Sequence, residues 1–122
     1  MSKSTLVIGA SPYPFRYSHR AIHMLQEAGH PVLALGKQEG EIAGIPIQTK
    51  QADVETASID TVSLYLNPRN QLELDQWLVE MKPKRVIFNP GSENPTLEKH
   101  LQNKGIPTLR ACTLVLLRTG QY

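Results

Sequence analysis

The chain has 122 residues, with 13 Lys and Arg against 11 Asp and Glu, so its formal charge is only +2. That length fits one domain able to bury its own core, and so small a positive surplus argues against a protein built to hold duplex nucleic acid through its phosphates. Cys112 is the only cysteine, which excludes an intramolecular disulfide, and the first apolar run is cut by Gly9 and Pro12, too short for a signal core or a membrane span; a soluble cytoplasmic protein is expected.

The pattern alternates strand and helix from end to end. A strand over 5–8 meets the loop Gly9-Ala10-Ser11-Pro12-Tyr13-Pro14-Phe15-Arg16 and then a helix over about 18–28, with Ala21, Ile22, Leu25 and Ala28 on one face and Ser18 as its N-cap. Gly29 stops this helix, and Val32-Leu33-Ala34-Leu35 reads as a strand covered on both faces. Residues 40–50 carry apolar positions around Gly44 and Pro46 and read as an irregular or short extended excursion without clear chemistry. A third main strand is expected over 61–66, followed by Asn67-Pro68 and a helix with Leu74, Trp77, Leu78 and Met81 at helical spacing, stopped by Lys82-Pro83. A fourth strand over 85–88 leads through Asn89-Pro90-Gly91-Ser92 to a helix capped by Asn94 with Pro95 in its first turn and ended at Gly105; 108–110 is a short fifth strand. The same helix-to-strand turn appears twice, as Ala28-Gly29-His30-Pro31 and as Lys104-Gly105-Ile106-Pro107. The expected fold is therefore α/β: a single Rossmann-like domain over 1–122, with a parallel sheet of about five strands in the order 3-2-1-4-5 and helices on both faces.

In such a sheet, ligands bind outside the carboxyl ends of the strands, which singles out the four loops that follow them. The first offers Gly9, Ala10, Ser11, Tyr13, Pro14, Arg16 and Ser18; the second Gly36 and Lys37; the third Asn67 and Pro68; the fourth Asn89, Pro90 and Gly91. Ordinary turn chemistry explains each loop taken singly, but their common position at one rim favours a site. The strand-one loop faces a helix N-terminus, whose free amides and dipole favour a phosphate. Only Gly9 of the three glycines of a dinucleotide fingerprint is present. Where an NAD site places an acid to hold the ribose hydroxyls, this chain has Gly36-Lys37. An ammonium there either draws in a phosphate on the ribose, as in coenzyme A or NADP, or is a solvated surface lysine. Arg16 is either a second cation above the loop or a surface arginine packed on Tyr13.

Other chemistry-bearing residues read as structural. His19, His23 and Glu27 repeat every fourth position, opposite the apolar stripe, and are taken as a solvated face open to a homodimer or other protein contact rather than as a metal site. His30 and His100 join no cluster, Cys112 reads as a buried structural thiol, and Tyr65 as a sheet side chain. The chain has no Tyr-x-x-x-Lys, Walker, HExxH or GxSxG motif, and no convincing acid/base pair.

The stretch GASPYPFRYSHRAIHMLQEAGHPV, from Gly9 to Val32, resembles the small stand-alone CoA-binding-domain proteins, whose fold is similar to the N-terminal domain of the succinyl-CoA synthetase alpha subunit. Weaker matches are the loops Gly36-Lys37, Asn67-Pro68 and Asn89-Pro90-Gly91 and the pair Arg110 and Cys112, so the resemblance spans nearly the whole chain. It implies that the ADP part of CoA is held with Gly9, Ala10 and Ser11 at the phosphates, Lys37 near the adenosine, Asn67-Pro68 along the groove, and the pantetheine arm toward Asn89 to Ser92. The chain departs from the family's frequent Asn-Pro-Lys by offering Leu35-Gly36-Lys37, and no counterpart of the domain that carries the synthetase's phosphorylated histidine is expected in so short a chain. The reading is thus a CoA or acyl-CoA binding protein without turnover, serving as carrier, sensor or regulatory module. The alternatives are an NADP-dependent oxidoreductase-like protein and a Rossmann module that acts only through protein contacts.

Overall fold

The expected alternation is realised as one seven-stranded sheet in a computed structural model that describes residues 2–122. In chain order the elements are β1 (Thr5–Ala10), α1 (Tyr17–Glu27), β2 (Val32–Gly36), β3 (Glu41–Ile42), β4 (Ile45–Gln48), β5 (Thr61–Leu64), α2 (Asp75–Met81), β6 (Arg85–Phe88), α3 (Pro95–Asn103), β7 (Thr108–Arg110) and α4 (Thr113–Arg118). Single 3-10 turns at Gln51–Asp53 and Pro68–Gln71 follow β4 and β5. The sheet runs β3-β4-β2-β1-β5-β6-β7, and every pairing except the β3–β4 hairpin is parallel.

The Rossmann-like architecture matches the expectation, but the strand count and order do not. Residues 40–50, read as an excursion, supply two strands: β4 lies beside β2, with Ala34 opposite Ile47 and Leu35 opposite Gln48. It takes the third-strand place in the order 3-2-1-4-5, while the strand over 61–64 lies on the other side of β1. Between β3 and β4 the chain turns at Ala43 and Gly44, both left-handed at φ 51° and 84°, as the primed turns of two-residue hairpins require. Alanine gives no sequence signal for that conformation, and Pro46 reads as an interruption although it lies in this short outer ribbon.

Alternation along the strands sorts their side chains into two layers. Leu6, Ile8, Val62, Leu64, Val86 and Phe88 pack with Leu74, Leu78, Leu97 and Leu101 of the α2 and α3 side, whereas Val7, Ala34 and Ile47 pack with Ile22 and Leu25 of α1 and with Leu117 of α4. Removing one such fully buried leucine, Leu78 for instance, costs about 2–5 kcal/mol. The α3 N-terminus is locked as the sequence suggests: Asn94 Oδ1 accepts from the Leu97 amide, and Glu98 Oε2 accepts from the Asn94 amide.

At the end of β1 the alternation breaks. Ile8 pairs with Leu35 and Ala10 with Gly36, so Gly9 is the extra residue of a bulge, at φ 96°. A Cβ there would stand 3.1 Å from Tyr65 Cβ, so both the dihedral and the close approach of the chain after β5 demand glycine. The bulge turns Ala10 into the α1 layer and carries the chain outward above the sheet.

Candidate functional site

The parallel strands open their carboxyl ends on one rim, and a cleft of about 1050 Å³ lies across it. A shallower depression along α3, past Lys99 and His100, involves none of the strand ends. From the sequence-predicted residues the cleft gathers Gly9, Ala10, Ser11, Tyr13, Arg16 and Ser18 on the β1–α1 side, Gly36 and Lys37 after β2, Asn67 after β5 and Pro90 after β6. Four others lie outside its lining. Pro14 is exposed on the loop, Pro68 opens the 3-10 turn, and Gly91 is an exposed turn residue at φ 94°.

Asn89, 1% exposed, is the fourth, and its side chain is used up inside the fold. It donates to Ser63 Oγ and to the Leu64 carbonyl, both at 3.0 Å, and accepts from the Thr113 amide at 2.8 Å, tying β5 to the start of α4. Beside it, the Ser63 and Thr113 hydroxyls bond each other at 2.7 Å, and the buried Tyr65 hydroxyl has no hydrogen-bond partner among the described residues. Burial pushes that phenol up to about 12, the two neighbouring hydroxyls pulling it only part of the way back. Cys112, at the N-cap of α4, is half-buried.

Several lining residues were not singled out by the sequence. Thr49, Lys50 and Gln51 reach the cleft because β4 pairs with β2 and ends at the same rim as β1 and β2. Gln38, Tyr17, Tyr65, Asn70 and Glu73 line the cleft as well. Gln71, 2% exposed, stands just beneath: its Nε2 donates to the Leu66 carbonyl at 2.8 Å and to the Ser92 carbonyl at 2.7 Å, clamping the loops after β5 and β6 together.

The cleft is electropositive. Arg16, Lys37 and Lys50 line it against one carboxylate, Glu73, and none of the four forms an ion pair among the described residues. Arg16 packs over the Phe15 ring at 5.6 Å rather than on Tyr13, which itself stacks on Phe15. Ser18 is not the helix cap: α1 begins at Tyr17, the N-cap is Arg16 at φ −75° and ψ 140°, and no side chain bonds the first-turn amides. Ser18 is instead buried within that turn, and no acid lies in it. An uncapped N-terminus in a cleft lined by three cations is chemistry suited to an anion.

The histidine face is also corrected. His19 is buried, 8% exposed, because its ring turns back beneath the loop and places Nδ1 2.9 Å from the Ser11 carbonyl oxygen, while His23 stays exposed. No group of three or more His, Cys, Asp or Glu positioned for a metal ion forms among the described residues.

A family model described as a CoA binding domain matches residues 3–118. A crystal structure of an uncharacterised protein is 42% identical, covers 100% of this chain and 99% of its own, and superposes with a TM-score of 0.94. A Thermus thermophilus protein is 24% identical over 99% of this chain and 91% of that one, with a TM-score of 0.86. The dinucleotide-forming acetyl-coenzyme A synthetase 1 of Ca. Korarchaeum cryptofilum, 17% identical, shares the fold over 90% of this chain and 26% of its own, with a TM-score of 0.72. No curated protein matches the chain.

Proposed function

The chain belongs to the CoA binding domain family, and from that membership we propose that the rim cleft binds CoA or an acyl-CoA. The observation that carries the reading is the convergence of three cations, Arg16, Lys37 and Lys50, none in an ion pair among the described residues, on the cleft that also holds the Gly9 bulge and the uncapped start of α1. CoA presents a pyrophosphate and a phosphate on the adenosine ribose. The pyrophosphate would lie over Gly9 to Ser11 and the first turn of α1. Lys37 and Lys50, at the ends of β2 and β4, suit the ribose phosphate, and the pantetheine arm would run past Asn67 toward Pro90.

Binding without turnover is the role we assign: a carrier, sensor or regulatory module of the cytoplasm, working as one domain. In support, the tyrosine nearest the strand-five end has its hydroxyl buried among Ser63 and Thr113 and its pKa pushed up to about 12, poorly suited to proton transfer at neutral pH. Calorimetric titration of ligand-stripped protein with CoA, dephospho-CoA, NADP and NAD tests the reading. CoA is expected to bind more tightly than the other three. Tighter binding of NADP would replace the reading with the oxidoreductase-like alternative, and binding of none would leave a module that acts through protein contacts.

A further inference from the structure

His19 is not a ligand-lining residue, yet its ring is joined to one that is. Its Nδ1 lies 2.9 Å from the main-chain oxygen of Ser11, and a carbonyl oxygen can only accept, so Nδ1 carries the proton. In the neutral ring that leaves Nε2 as a bare acceptor. It faces His23 Nε2 at 3.3 Å, with the two rings 5.0 Å apart between centroids, so the exposed His23 is the donor of that second bond. The chain of bonds fixes the tautomer of both rings and runs from the surface of α1 to the loop above it.

The carbonyl so held is unusual in what it lacks. The Ser11 oxygen belongs to the peptide that joins Ser11 to Pro12, and proline has no N–H, so this oxygen is the only polar atom of the peptide. Rotating the peptide toward the cleft brings in a partial negative charge and no compensating donor, among Arg16, Lys37 and Lys50 where an anion would sit. The neighbours restrain the rest of the loop: Tyr13 N donates to Ser11 Oγ at 3.2 Å, and Arg16 N to the Tyr13 carbonyl at 3.1 Å. Among the described residues only the His19 ring bonds the Ser11 oxygen itself, and it draws that oxygen toward a side chain outside the cleft lining.

We infer that His19 is a positioning residue for anion binding: supported by His23, it keeps the Ser11 carbonyl turned out of the cleft so that the loop meets a phosphate group with donors alone. The inference rests on the reading of the cleft as a CoA site. Two variants separate the bond from the space the ring fills. Asparagine can place its amide donor where Nδ1 stands, whereas leucine fills the site and offers none.

The test is calorimetric titration of CoA into the wild type, His19→Leu and His19→Asn, with thermal melts of each, and ¹⁵N spectra of the histidine rings of the wild type. Expected are an Nδ1–H tautomer at His19, a loss of CoA affinity of about tenfold in His19→Leu, the scale of one hydrogen bond lost together with the repulsion it prevented, and recovery to within about threefold of the wild type in His19→Asn. Wild-type protein that binds no CoA would end the reading of the cleft. Wild type that binds CoA while His19→Leu binds it equally well would end the inference alone. An Nε2–H tautomer at His19 would do the same even if His19→Leu failed to fold, as would an asparagine variant no better than the leucine one.

Discussion

The α-carbon of Gly36 lies so close to the carbonyl of Ala10 that a Cβ added to Gly36 would overlap the Ala10 oxygen and stand 3.0 Å from the Ala10 carbon. The pair joins the ends of β1 and β2, where the ladder slips by one residue at the Gly9 bulge. Gly36 thus has a backbone reason to be glycine before any ligand is considered. Gly36→Ala is expected to cost about 1–3 kcal/mol in denaturant unfolding, the range of an overpacked core. It should also weaken CoA binding, because the loops after β1 and β2 must shift to make room.

Gln71 holds the opposite wall. Its side chain is buried, donates to Leu66 O and Ser92 O, and accepts from Asn94 Nδ2 at 3.0 Å. Gln71→Leu keeps the volume and strands those partners, so unfolding stability should fall by about 2–3 kcal/mol. Hydrogen exchange should quicken in the loops after β5 and β6 while the β1 and β2 amides keep their protection. Unchanged stability would mean that water replaces the amide at no cost.

Legibility in the sequence followed the range of the interaction. The α3 cap at Asn94-Pro95 and the glycine stops at Gly29 and Gly105 are local chemistry, and they stand where the sequence puts them. The β3–β4 hairpin was hidden because its turn uses Ala43 in a left-handed conformation and its second strand contains Pro46, which reads as a break; Lys50 and Gln51 reach the cleft only through the pairing of Leu35 with Gln48, a contact between distant segments. His19 misleads helical periodicity for another reason. Its i, i+4 spacing to the exposed His23 suggests a solvated face, but it also lies three residues before the buried Ile22, at the edge of the apolar stripe, and its ring swings back over the preceding turn to a loop that no periodicity describes.

A pH dependence is expected at the far end of the sheet. His30 Nδ1 accepts from the Lys3 amide at 2.9 Å, and its ring lies against Tyr122 with centroids 4.9 Å apart. Burial, reinforced by the charges of Lys3 and Arg85, lowers its pKa below the usual 6.5, with Asp60 opposing. As pH falls, the unfolded chain therefore takes up the proton first, so stability is complete above about 6.5 and declines from there toward the folded-state pKa. Thermal melts between about pH 7 and pH 5 should show that loss in the wild type. His30→Asn, which offers an acceptor without titrating, should show less of it; equal slopes would exclude His30 as the source.

Lys37 and Lys50 carry the last prediction, because on the proposed reading of the cleft the charge at the ends of β2 and β4 would separate a ligand with a phosphorylated ribose from one without. Both are exposed at the cleft wall and neither is committed to an ion pair among the described residues, so their fields act on whatever enters. An exposed charge pair at about 4 Å is worth roughly 1–4 kcal/mol, depending on how much water remains between the partners. Lys37→Glu replaces attraction with repulsion and should lower CoA affinity about tenfold or more, with Lys50→Glu acting in the same direction. Dephospho-CoA, which lacks the ribose phosphate, should lose less than about threefold in either variant. Raising the salt should erode the wild-type preference for CoA, since both lysines face solvent. Equal losses for CoA and dephospho-CoA would move the ribose phosphate away from these lysines and leave the phosphate loop and Arg16 as the only cation-rich part of the site.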